Sequence, residues 1–386
     1  MTGDAVAGTT PESAAAAIRD SAHIVGHGLA RISGWFGFVA GAFSRPHRNF
    51  EVWRFRRSVP DADLSLHCAL CGARGDALRR LTPLGTSPDL VALGIYRVVL
   101  CTACGVARTV PLPTPGALVI AADVAAPRLG VLQRAVLARF IRQRVARVRP
   151  LLPGDRRPVV IDVGGGACAF ANVLAETECD VTVFEPNGAN AGAAGPGVRF
   201  VAAPFDEESV TSAGVAGASC DAITMWHSLE HVLDPNATLA LARRLLRPGG
   251  VVYVCVPNLD SLQADLAAES WCYVDVPHHV SHFSPEGLAA SLERAGFSAI
   301  TPHWWNEEYE VFGFYQSLLN ALSGSHNYFY NRAKKGRNAD AGPHPVWTRV
   351  LTALGPLLLP FALIYSWWGA AAGKPACVEH HASAPG

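Results

Sequence analysis

The sequence predicts an α/β fold, with a mainly parallel sheet that starts near residue 158 and a small cysteine-bearing module before it. Strand-like and helix-like runs alternate from residue 158 onward, which is typical of a parallel sheet covered by helices. The first of these runs, VVIDVGGGACAF (159–170), is an apolar strand followed by a glycine turn, as at the start of a nucleotide-binding half-fold. Two C-x-x-C pairs precede it and predict the separate module.

The composition bears on the protein's partners and on its cellular compartment. The 386-residue chain has a formal net charge of +0, which argues against nucleic acid as a partner. Its ten cysteines are not arranged as a disulfide framework, so a reducing compartment is expected. The N-terminus lacks a basic region followed by a compact apolar stretch, so the sequence predicts no cleaved signal peptide and a cytoplasmic protein.

Composition shifts divide the chain into segments. Pro and Gly in PGDRRP (153–158) mark one boundary, and the apolar stretch 21–43 fits a packed helix better than one lying on a membrane surface. We expect six segments: a leader with an apolar helix (1–60), a zinc-binding module (61–115), a linking helix (116–157), an α/β domain (158–305), an apolar helical insertion (306–375), and a last strand with the tail (376–386).

The cysteine pairs HCALCGARG and LCTACGVAR predict a structural zinc site. Each C-x-x-C is a tight turn that directs two thiolates at one point, and the glycine after each pair, Gly72 or Gly105, frees the backbone for the turn. A small hairpin fits between the pairs. The alternatives are a redox pair or chance spacing. A four-cysteine site has no open position, so we expect it to hold a fold or shape a pocket. The four ligands are Cys68, Cys71, Cys101 and Cys104.

The glycine loop by itself is ambiguous. Val159–Ile161 forms the predicted strand, Asp162 ends it, and Gly164 to Gly166 form the turn. Gly164, Gly166 and Ala169 also satisfy the G-x-G-x-x-A pattern of dinucleotide-binding proteins. The loop therefore does not choose between two kinds of cofactor.

The next elements add to the site. CDVTVFEPN is a second strand that ends in Glu185, whose carboxylate can accept hydrogen bonds from both ribose hydroxyls of a nucleoside. VRFVAAPFDE is a third strand, and we expect its end at Ala203–Phe205 to lie against an adenine ring. CDAITMWHSLEHVLDP is a fourth strand that opens into a loop. LARRLLRPGGVVYVCVPN contains a helix, a Pro-Gly-Gly turn and a fifth strand.

Together these residues resemble the class I S-adenosylmethionine-dependent methyltransferases, and in particular a bacterial branch with an N-terminal zinc-binding module. The matching motifs cover about 60–305 and include FEP, LLRPGG, VPN and HHVSHFSPEGLAASLERAGF. The resemblance implies a Rossmann-like seven-stranded sheet and S-adenosylmethionine as cofactor. The cofactor-binding residues it implies, with those expected from their place at the strand ends, are Asp162, Gly164, Gly166, Glu185, Pro204, Phe205, Trp226 and His227.

The sequence departs from this family at two positions. The family usually has glycine at the position of Cys168 and arginine at the position of His278. Cys168 is small and can start a helix, which is compatible with cofactor binding. The change at His278 affects any role of that position in binding substrate.

Two stretches carry candidate proton acceptors, which an O- or C-methylation would need. WHSLEHV places Glu230 and His231 beside the methionine part of the cofactor, although Glu230 also fits a helix cap and His231 a structural residue. WCYVDVPHHVSHFSPEG resembles the family's substrate-side loop, and its His279 is the leading base candidate; the alternative is a loop staple that binds backbone carbonyls. Ser284 and Pro285 are expected to start the next helix.

The segment 350–373 is apolar, uncharged and long enough to cross a bilayer, but Pro356 and Pro360 argue against one straight helix. ACVEHHAS, after it, is expected to be the last strand, paired beside FSAITPHWW. The chain must then return to the side that it left, so a re-entrant hairpin, an interfacial helix or a buried lid fits better than a single crossing. Contact with the inner face of the membrane and packing on the domain both stay open.

The sequence leaves three alternative functions. The first is a methyltransferase that acts on a small-molecule or lipid-linked acceptor. The second is an NAD-type oxidoreductase, which shares the glycine spacing and Glu185 but does not account for Asp162, RPGG and WHSLEHV together. The third is a non-catalytic zinc- and nucleotide-binding relative.

Overall fold

The computed structural model describes residues 58–60, 67–81, 96–113, 131–267, 270–323, 327–335 and 345–385. The predicted leader and apolar helix at 1–57 lie outside these residues. The strands are β1 (Ser58–Pro60), β2 (Leu78–Leu81), β3 (Arg97–Cys101), β4 (Val106–Val110), β5 (Val159–Val163), β6 (Asp180–Phe184), β7 (Val198–Val201), β8 (Cys220–Trp226), β9 (Leu246–Pro257), β10 (Ser281–Phe283), β11 (Ser298–His303) and β12 (Cys377–Ser383).

The α-helices among the described residues cover the larger sheet and form the C-terminal insertion. They are α1 (Val131–Val148), α2 (Ala169–Ala175), α3 (Glu207–Ser212), α4 (Pro235–Leu245), α5 (Leu262–Ala267), α6 (Pro285–Arg294), α7 (Glu307–Ser323), α8 (Tyr328–Lys335), α9 (Pro345–Leu354) and α10 (Leu359–Ala371).

The predicted seven-stranded sheet is confirmed, with the order β11-β12-β9-β8-β5-β6-β7. Strands β5 to β9 are parallel to one another, while β12 runs antiparallel to both of its neighbours, β9 and β11. The order changes direction between β5 and β8, because β5 pairs with β6 on one side and with β8 on the other. In open α/β sheets, ligands bind at the carboxyl ends of the strands at such a switch point.

The apolar runs in the sequence become the centre of this sheet. All seven residues of β8 are buried, as expected for a parallel strand that is covered by helices on both faces. The prediction that Asp162 ends the first strand is wrong, because β5 continues to Val163. Asp162 and Val163 both pair with β6 and β8, and the Asp162 carboxylate also accepts a hydrogen bond from the Thr224 hydroxyl of β8 (2.7 Å).

A second sheet has the order β1-β2-β3-β4-β10. Its first four strands carry the cysteine pairs, and the predicted hairpin between the pairs is seen in β2 and β3, with residues 82–95 outside the described part. Its last strand, β10, comes from the segment predicted as α/β domain and pairs with β4, with His282 opposite Ala107. The cysteine module and the larger domain therefore share one sheet.

The apolar insertion precedes the last strand, as predicted. Leu262, Phe314 and Tyr315 form a buried cluster with Ala362 and Tyr365, so α10 packs on α7 and α5. Gly355–Leu358 forms a 3₁₀ turn that separates α9 from α10, in agreement with the break expected at Pro356. By length and composition, the described stretch Val346–Ala371 could cross a membrane, and 22% of its most apolar part is buried.

Candidate active site

The glycine loop at the end of β5 touches the loop that follows β8. Gly164 has φ +70°, and a Cβ atom there would lie 2.6 Å from Cβ of Ser228, so glycine is required. Gly166 has φ +52°, and a Cβ atom there would meet nothing within 4 Å. The loop is thus closed on the side of Ser228 and open at Gly166, an arrangement that leaves room for a bound small molecule.

Cys168 takes the left-handed conformation, with φ 58°, immediately before α2. A residue other than glycine costs about 1–2 kcal/mol in this conformation, so the position favours glycine on steric grounds. The thiol is completely buried, so it does not project into the open side of the loop. The prediction that Cys168 starts a helix is confirmed.

Glu185 lies at the rim of the glycine loop, just after β6. Its carboxylate accepts hydrogen bonds from the main-chain N–H of Gly166 (3.0 Å) and of Asn187 (2.9 Å). The side chain is half-buried, so lone pairs remain for a further donor. This position matches the predicted role as an acceptor for ribose hydroxyls.

Asp162 lies beneath the loop and is 1% exposed. Burial raises the pKa of its carboxyl to about 7, against the hydrogen bond from Thr224 and the charge of Arg144, which both lower it. A Cβ atom at Gly165 would lie 2.6 Å from Oδ2 of Asp162, so the second glycine of the loop is needed for this close approach.

Pro204 and Phe205, in the segment after β7, differ in their exposure to solvent. Pro204 is exposed, whereas the Phe205 ring is buried and packs edge-on against Phe184, with 5.5 Å between the ring centroids. The Phe205 ring therefore belongs to the core, and only the backbone and Pro204 can border an adenine ring.

Trp226 stands at the end of β8 in an aromatic group. Its ring lies 5.5 Å from that of Phe170 and 4.9 Å from that of Tyr253, and the guanidinium of Arg144 lies 5.3 Å from its centroid. Arg144 also donates hydrogen bonds to Glu308 and to the Tyr309 hydroxyl. The first turn of α7 therefore closes over the end of β8.

Five buried polar atoms in this region have no hydrogen-bond partner among the described residues. They are Nε1 of Trp226, Nε of Arg144, Oγ of Ser228 and both carboxylate oxygens of Glu230. Buried polar groups are normally paired, and an unpaired one costs about 1–3 kcal/mol. Their convergence at the carboxyl ends of β5 and β8 fits a site that binds a polar ligand such as the predicted cofactor.

His227 follows Trp226 and has φ +50°, a strained backbone for a residue other than glycine. Its main-chain N–H donates to the carbonyl of Cys255 (2.8 Å), and its Nδ1 lies 3.1 Å from Oε1 of Glu230. The ring of Tyr309 packs at 4.1 Å from the imidazole, measured between centroids. His227 thus connects the end of β8 with α7.

The three predicted catalytic residues lie together. Carboxylate and imidazole atoms of Glu230, His231 and His279 are within 4.8 Å of one another. The two imidazoles meet edge to face at 4.7 Å. Burial, and next the charge of His231, lower the pKa of His279 to about 4. His279 is therefore neutral at pH 7.

His278 lies beside this cluster, half exposed, with Nδ1 3.1 Å from Oδ1 of Asp275. The hydrogen bond that His278 donates to the Asp275 carboxylate raises the pKa of the imidazole, against its partial burial. The side chain at this position forms an ion pair with its own loop, so the change from the family's arginine retains a cation here when His278 is protonated.

The cysteine module holds the loop that carries His279. Thr109 of β4 donates its hydroxyl hydrogen to the main-chain carbonyl of His279 (2.6 Å) and lies 3.1 Å from Nε2 of His282. Arg108 donates to Oγ of Ser281 and to the carbonyl of Leu233, both at 2.7 Å. Ser284 starts α6 as predicted and accepts a hydrogen bond from the N–H of Gly287.

The four predicted zinc ligands converge, with all sulfur atoms within 4.8 Å of one another. The distance is 3.7 Å from Cys68 to Cys104 and 3.6 Å from Cys71 to Cys101. The N–H groups of Gly72 and Gly105 donate to the carbonyls of Cys68 and Cys101, so the two turns are equivalent. Tetrahedral zinc with bonds of about 2.3 Å places its sulfur ligands about 3.8 Å apart, which this set fits.

Sequence reasoning missed Arg144, Tyr309 and Thr109. Arg144 lies in an arginine-rich helical stretch, where nothing in the spacing separates the buried arginine from the exposed ones. Thr109 and Tyr309 belong to no sequence motif. Thr109 lies at the site because β4 pairs with β10, and Tyr309 because α7 packs there.

The sequence family described as "Methyltransferase domain" matches residues 134–301. The ubiquinone biosynthesis O-methyltransferase of Rhizobium rhizogenes (strain K84 / ATCC BAA-868) is 30% identical over 121 residues, which are 30% of this chain and 49% of that protein. The ubiquinone biosynthesis O-methyltransferase of Xanthomonas campestris pv. campestris (strain B100) is 30% identical over 164 residues, 40% of this chain and 67% of that protein.

Among solved structures, a SAM-dependent methyltransferase from Archaeoglobus fulgidus is 18% identical, with a TM-score of 0.40, and the match covers 64% of this chain and 94% of that one. The chain spans about half to two thirds of the length of the two curated relatives above.

Proposed function

The chain belongs to the class I S-adenosylmethionine-dependent methyltransferases, and we propose that it methylates a hydroxyl oxygen of an apolar small-molecule or lipid-linked acceptor. The observation that carries this proposal is the contact between the glycine loop and the loop after β8, at the switch point of the sheet. Ser228 joins the glycine loop to the loop that bears Glu230 and His231. A cofactor bound at the glycine loop would therefore lie next to the proton acceptors Glu230 and His231. The O-methyltransferase names of the relatives support an oxygen acceptor.

For the cofactor, we propose that Glu185 binds the ribose hydroxyls while Gly164 and Gly166 allow the backbone to approach. Asp162 and Trp226 border the methionine part, and Pro204 borders the adenine; the Phe205 ring lies in the core, and His227 follows Trp226 in the chain. When bound, S-adenosylmethionine supplies a methyl group on a sulfonium. The chain's own task is to hold the acceptor oxygen in line with that methyl group, an effect worth up to about 7–11 kcal/mol.

For the proton, the geometry favours His231 over His279. Nδ1 of His231 lies 3.0 Å from the carbonyl oxygen of His278, which can only accept, so Nδ1 carries the hydrogen and Nε2 keeps its lone pair. We propose that Nε2 of His231 takes the hydroxyl proton, with Glu230 stabilising the imidazolium that forms. The buried His279 packs against His231 and holds its ring in place.

Calorimetry with S-adenosylhomocysteine and with NAD tests the cofactor. We expect S-adenosylhomocysteine to bind and NAD not to bind. Glu185→Gln should weaken S-adenosylhomocysteine by about 10-fold, the loss of about 1.4 kcal/mol of hydrogen bonding, because a carboxylate acceptor is replaced. The control is Glu208→Gln, an exposed carboxylate beyond β7, which should bind as the wild type does. Binding of NAD alone would favour an oxidoreductase, and binding of neither would favour a non-catalytic relative.

Transfer to hydroxylated aromatic acceptors tests the base. His231→Gln should lower kcat by about 100-fold or more while leaving the affinity for S-adenosylhomocysteine unchanged. His303→Gln, on β11, is the matched control and should retain activity. A larger loss in His279→Gln than in His231→Gln would assign the base to His279 and contradict our choice.

We also propose a structural zinc ion on Cys68, Cys71, Cys101 and Cys104. The sulfur spacing and the two equivalent turns support it, and a closed four-cysteine site leaves zinc no position for catalysis. Its function would be to fix β4 and thereby the His279 loop. Removal of zinc by a chelator should lower kcat and expose the loop of residues 275–283 to hydrogen exchange. No change in exchange there would contradict this role.

The insertion is proposed to lie on the inner face of the membrane without crossing it. Both of its ends are held in the fold, by α7 and by β12, and the side of α9 and α10 away from Ala362 and Tyr365 exposes large apolar residues. These are Val346, Val350, Leu354, Leu357, Leu359, Phe361, Leu363, Ile364 and Trp367. The ten cysteines are free thiols, which supports a cytoplasmic location.

Sedimentation with phosphatidylglycerol and phosphatidylcholine vesicles tests this contact. Ile364→Glu and Trp367→Glu should each reduce the bound fraction, because a charge would enter the apolar layer. Leu112→Glu, which is 51% exposed outside the insertion, should not reduce it. A wild-type protein that stays entirely in solution would contradict the proposal.

A further inference from the structure

A second set of metal-ligating side chains lies at the carboxyl edge of the larger sheet. We name it the His227–Cys255–Cys377 cluster. Cys255 is in β9, Cys377 begins β12 and His227 follows β8, and their ligand atoms all lie within 4.8 Å of one another. Cys255 pairs with Glu379 across the two strands, so Cys377, two residues away, stands on the same face as Cys255. The sheet itself brings these two thiols together.

The imidazole of His227 is oriented toward the thiols. Nδ1 faces the carboxylate of Glu230 at 3.1 Å, while Nε2 lies 3.5 Å from Sγ of Cys377. Metal-binding histidines commonly donate one ring N–H to a carboxylate, which fixes the tautomer and directs the other nitrogen to the metal. The ring of Tyr309, 4.1 Å away between centroids, packs against the imidazole of His227.

The cluster is also buried and locally strained. Cys255 is 0% and Cys377 is 2% exposed, and the backbone of His227 has φ +50°. Strained residues of this kind cluster at ligand sites, where the surrounding structure enforces them. The strain supports a specific function for His227 beyond filling the core.

We propose that His227, Cys255 and Cys377 bind one zinc ion, separate from the four-cysteine site. Nitrogen and thiolate ligands suit zinc and exclude hard cations such as Mg²⁺ and Ca²⁺. Two thiolates and Zn²⁺ together carry no net charge, which suits a buried site. Three protein ligands leave the fourth position for a water or for an oxygen or sulfur atom of a small molecule. The cluster adjoins the proposed methyl-transfer site through Glu230, and its zinc content is measured without reference to activity.

Zinc content per chain tests the proposal, measured by plasma mass spectrometry on full-length protein purified under reducing conditions without chelators. Cys377→Ser and His227→Gln should each hold one zinc fewer than the wild type. The matched control is Cys179→Ser, a fully buried thiol outside both clusters whose Sγ lies 3.5 Å from the Thr177 hydroxyl, and it should hold the wild-type amount. The deciding quantity is the difference from the wild type, so it does not depend on the four-cysteine site.

Cobalt substitution gives a second readout. In a Cys71→Ser variant, the cobalt protein should retain a thiolate-to-cobalt absorption band from the cluster, and adding Cys377→Ser should reduce it. Circular dichroism shows whether each variant is folded, and His227→Gln keeps both thiols of the core if a serine variant fails to fold. Equal zinc content in wild type, Cys377→Ser and His227→Gln, or a Cys255–Cys377 disulfide in the protein as purified, would overturn the site.

Discussion

Thr109 donates its hydroxyl hydrogen to the main-chain carbonyl oxygen of His279 at 2.6 Å, although 170 positions separate the two residues in the chain. One residue belongs to the cysteine module and the other to the loop beside the candidate active site. This contact and the pairing of β4 with β10 connect the cysteine module to the loop that carries His279.

Thr109→Val changes the side-chain volume very little, but it should destabilise the protein and lower its activity. The change leaves the buried carbonyl of His279 and Nε2 of His282 without their partner, at a cost of about 1–3 kcal/mol in the free energy of unfolding. We expect kcat to fall as well, because the loop loses its anchor. Thr301→Val, an exposed threonine in β11, is the control for urea unfolding and for activity. Equal behaviour of the two variants would contradict the anchoring role.

Gly287→Ala should push α6 away from the turn that follows Cys101 and Cys104. A Cβ atom at Gly287 would lie 2.7 Å from the carbonyl oxygen of Gly105 and 2.8 Å from its carbon, both of which are backbone atoms. Overpacking of this kind costs about 1–3 kcal/mol. Gly192→Ala, with nothing within 4 Å of its Cβ, should be nearly neutral. Urea midpoints compare the two, and a Gly287→Ala protein as stable as the Gly192→Ala protein would show that the contact relaxes freely.

Cys168→Gly and Cys179→Gly should differ strongly in stability. Both thiols are fully buried, but only Cys168 has a positive φ, at 58°. Glycine relieves about 1–2 kcal/mol of strain at Cys168, which offsets the lost burial and the greater freedom of the unfolded chain. We expect the Cys168→Gly protein to stay within about 1 kcal/mol of the wild type, while Cys179→Gly loses about 2 kcal/mol. Similar losses in both variants, measured by urea unfolding, would argue against strain at Cys168.

The ion pairs of Asp221 should make stability depend on pH in acid. Burial raises the pKa of this carboxyl, but hydrogen bonds from Arg156, the N–H of Val159 and Arg247 lower it to about 2. Because the pKa is lower in the folded state, the contribution is present above pH 4 and disappears as the pH falls toward 2. Asp221→Asn should lose about 2 kcal/mol at pH 7 relative to the wild type, and the difference should shrink between pH 4 and pH 2. A constant difference in urea midpoint over this range would contradict the assignment.

The buried histidines should add sensitivity at milder acid pH. Burial first, and then the charge of a neighbouring histidine, lower the pKa of His279 to about 4 and that of His282 to about 3. Since the unfolded chain takes up protons near pH 6.5, stability falls as the pH drops from 6.5 to 4. His279→Gln should remove about 3 kcal/mol of that decline, because glutamine does not titrate. Chemical unfolding at pH 7 and pH 4.5 measures the decline. An equal decline in wild type and variant would place His279 in a more exposed state than the structure shows.

Much of the fold could be predicted because its signals are local. The apolar runs that became β5 to β9, the glycine turn after Val163 and the paired cysteine turns each depend on a few neighbouring residues. The return strand β12 could also be predicted, but from the family resemblance, which implies a last strand after the insertion. The extent of β5 could not, since Asp162 and Val163 belong to the strand through their pairing with β6 and β8, which are distant in the sequence.

The sequence by itself determined the α/β class, the family resemblance, the two C-x-x-C pairs and the candidate residues at the strand ends. Only the tertiary structure decided which of these residues meet and what surrounds them. It placed Arg144 on Trp226, turned Phe205 into the core, joined β10 to the cysteine module and brought Cys377 beside Cys255. The reason is physical: turns and strands follow from local steric and apolar patterns, whereas burial, pKa shifts and ligand convergence arise from residues far apart in the chain.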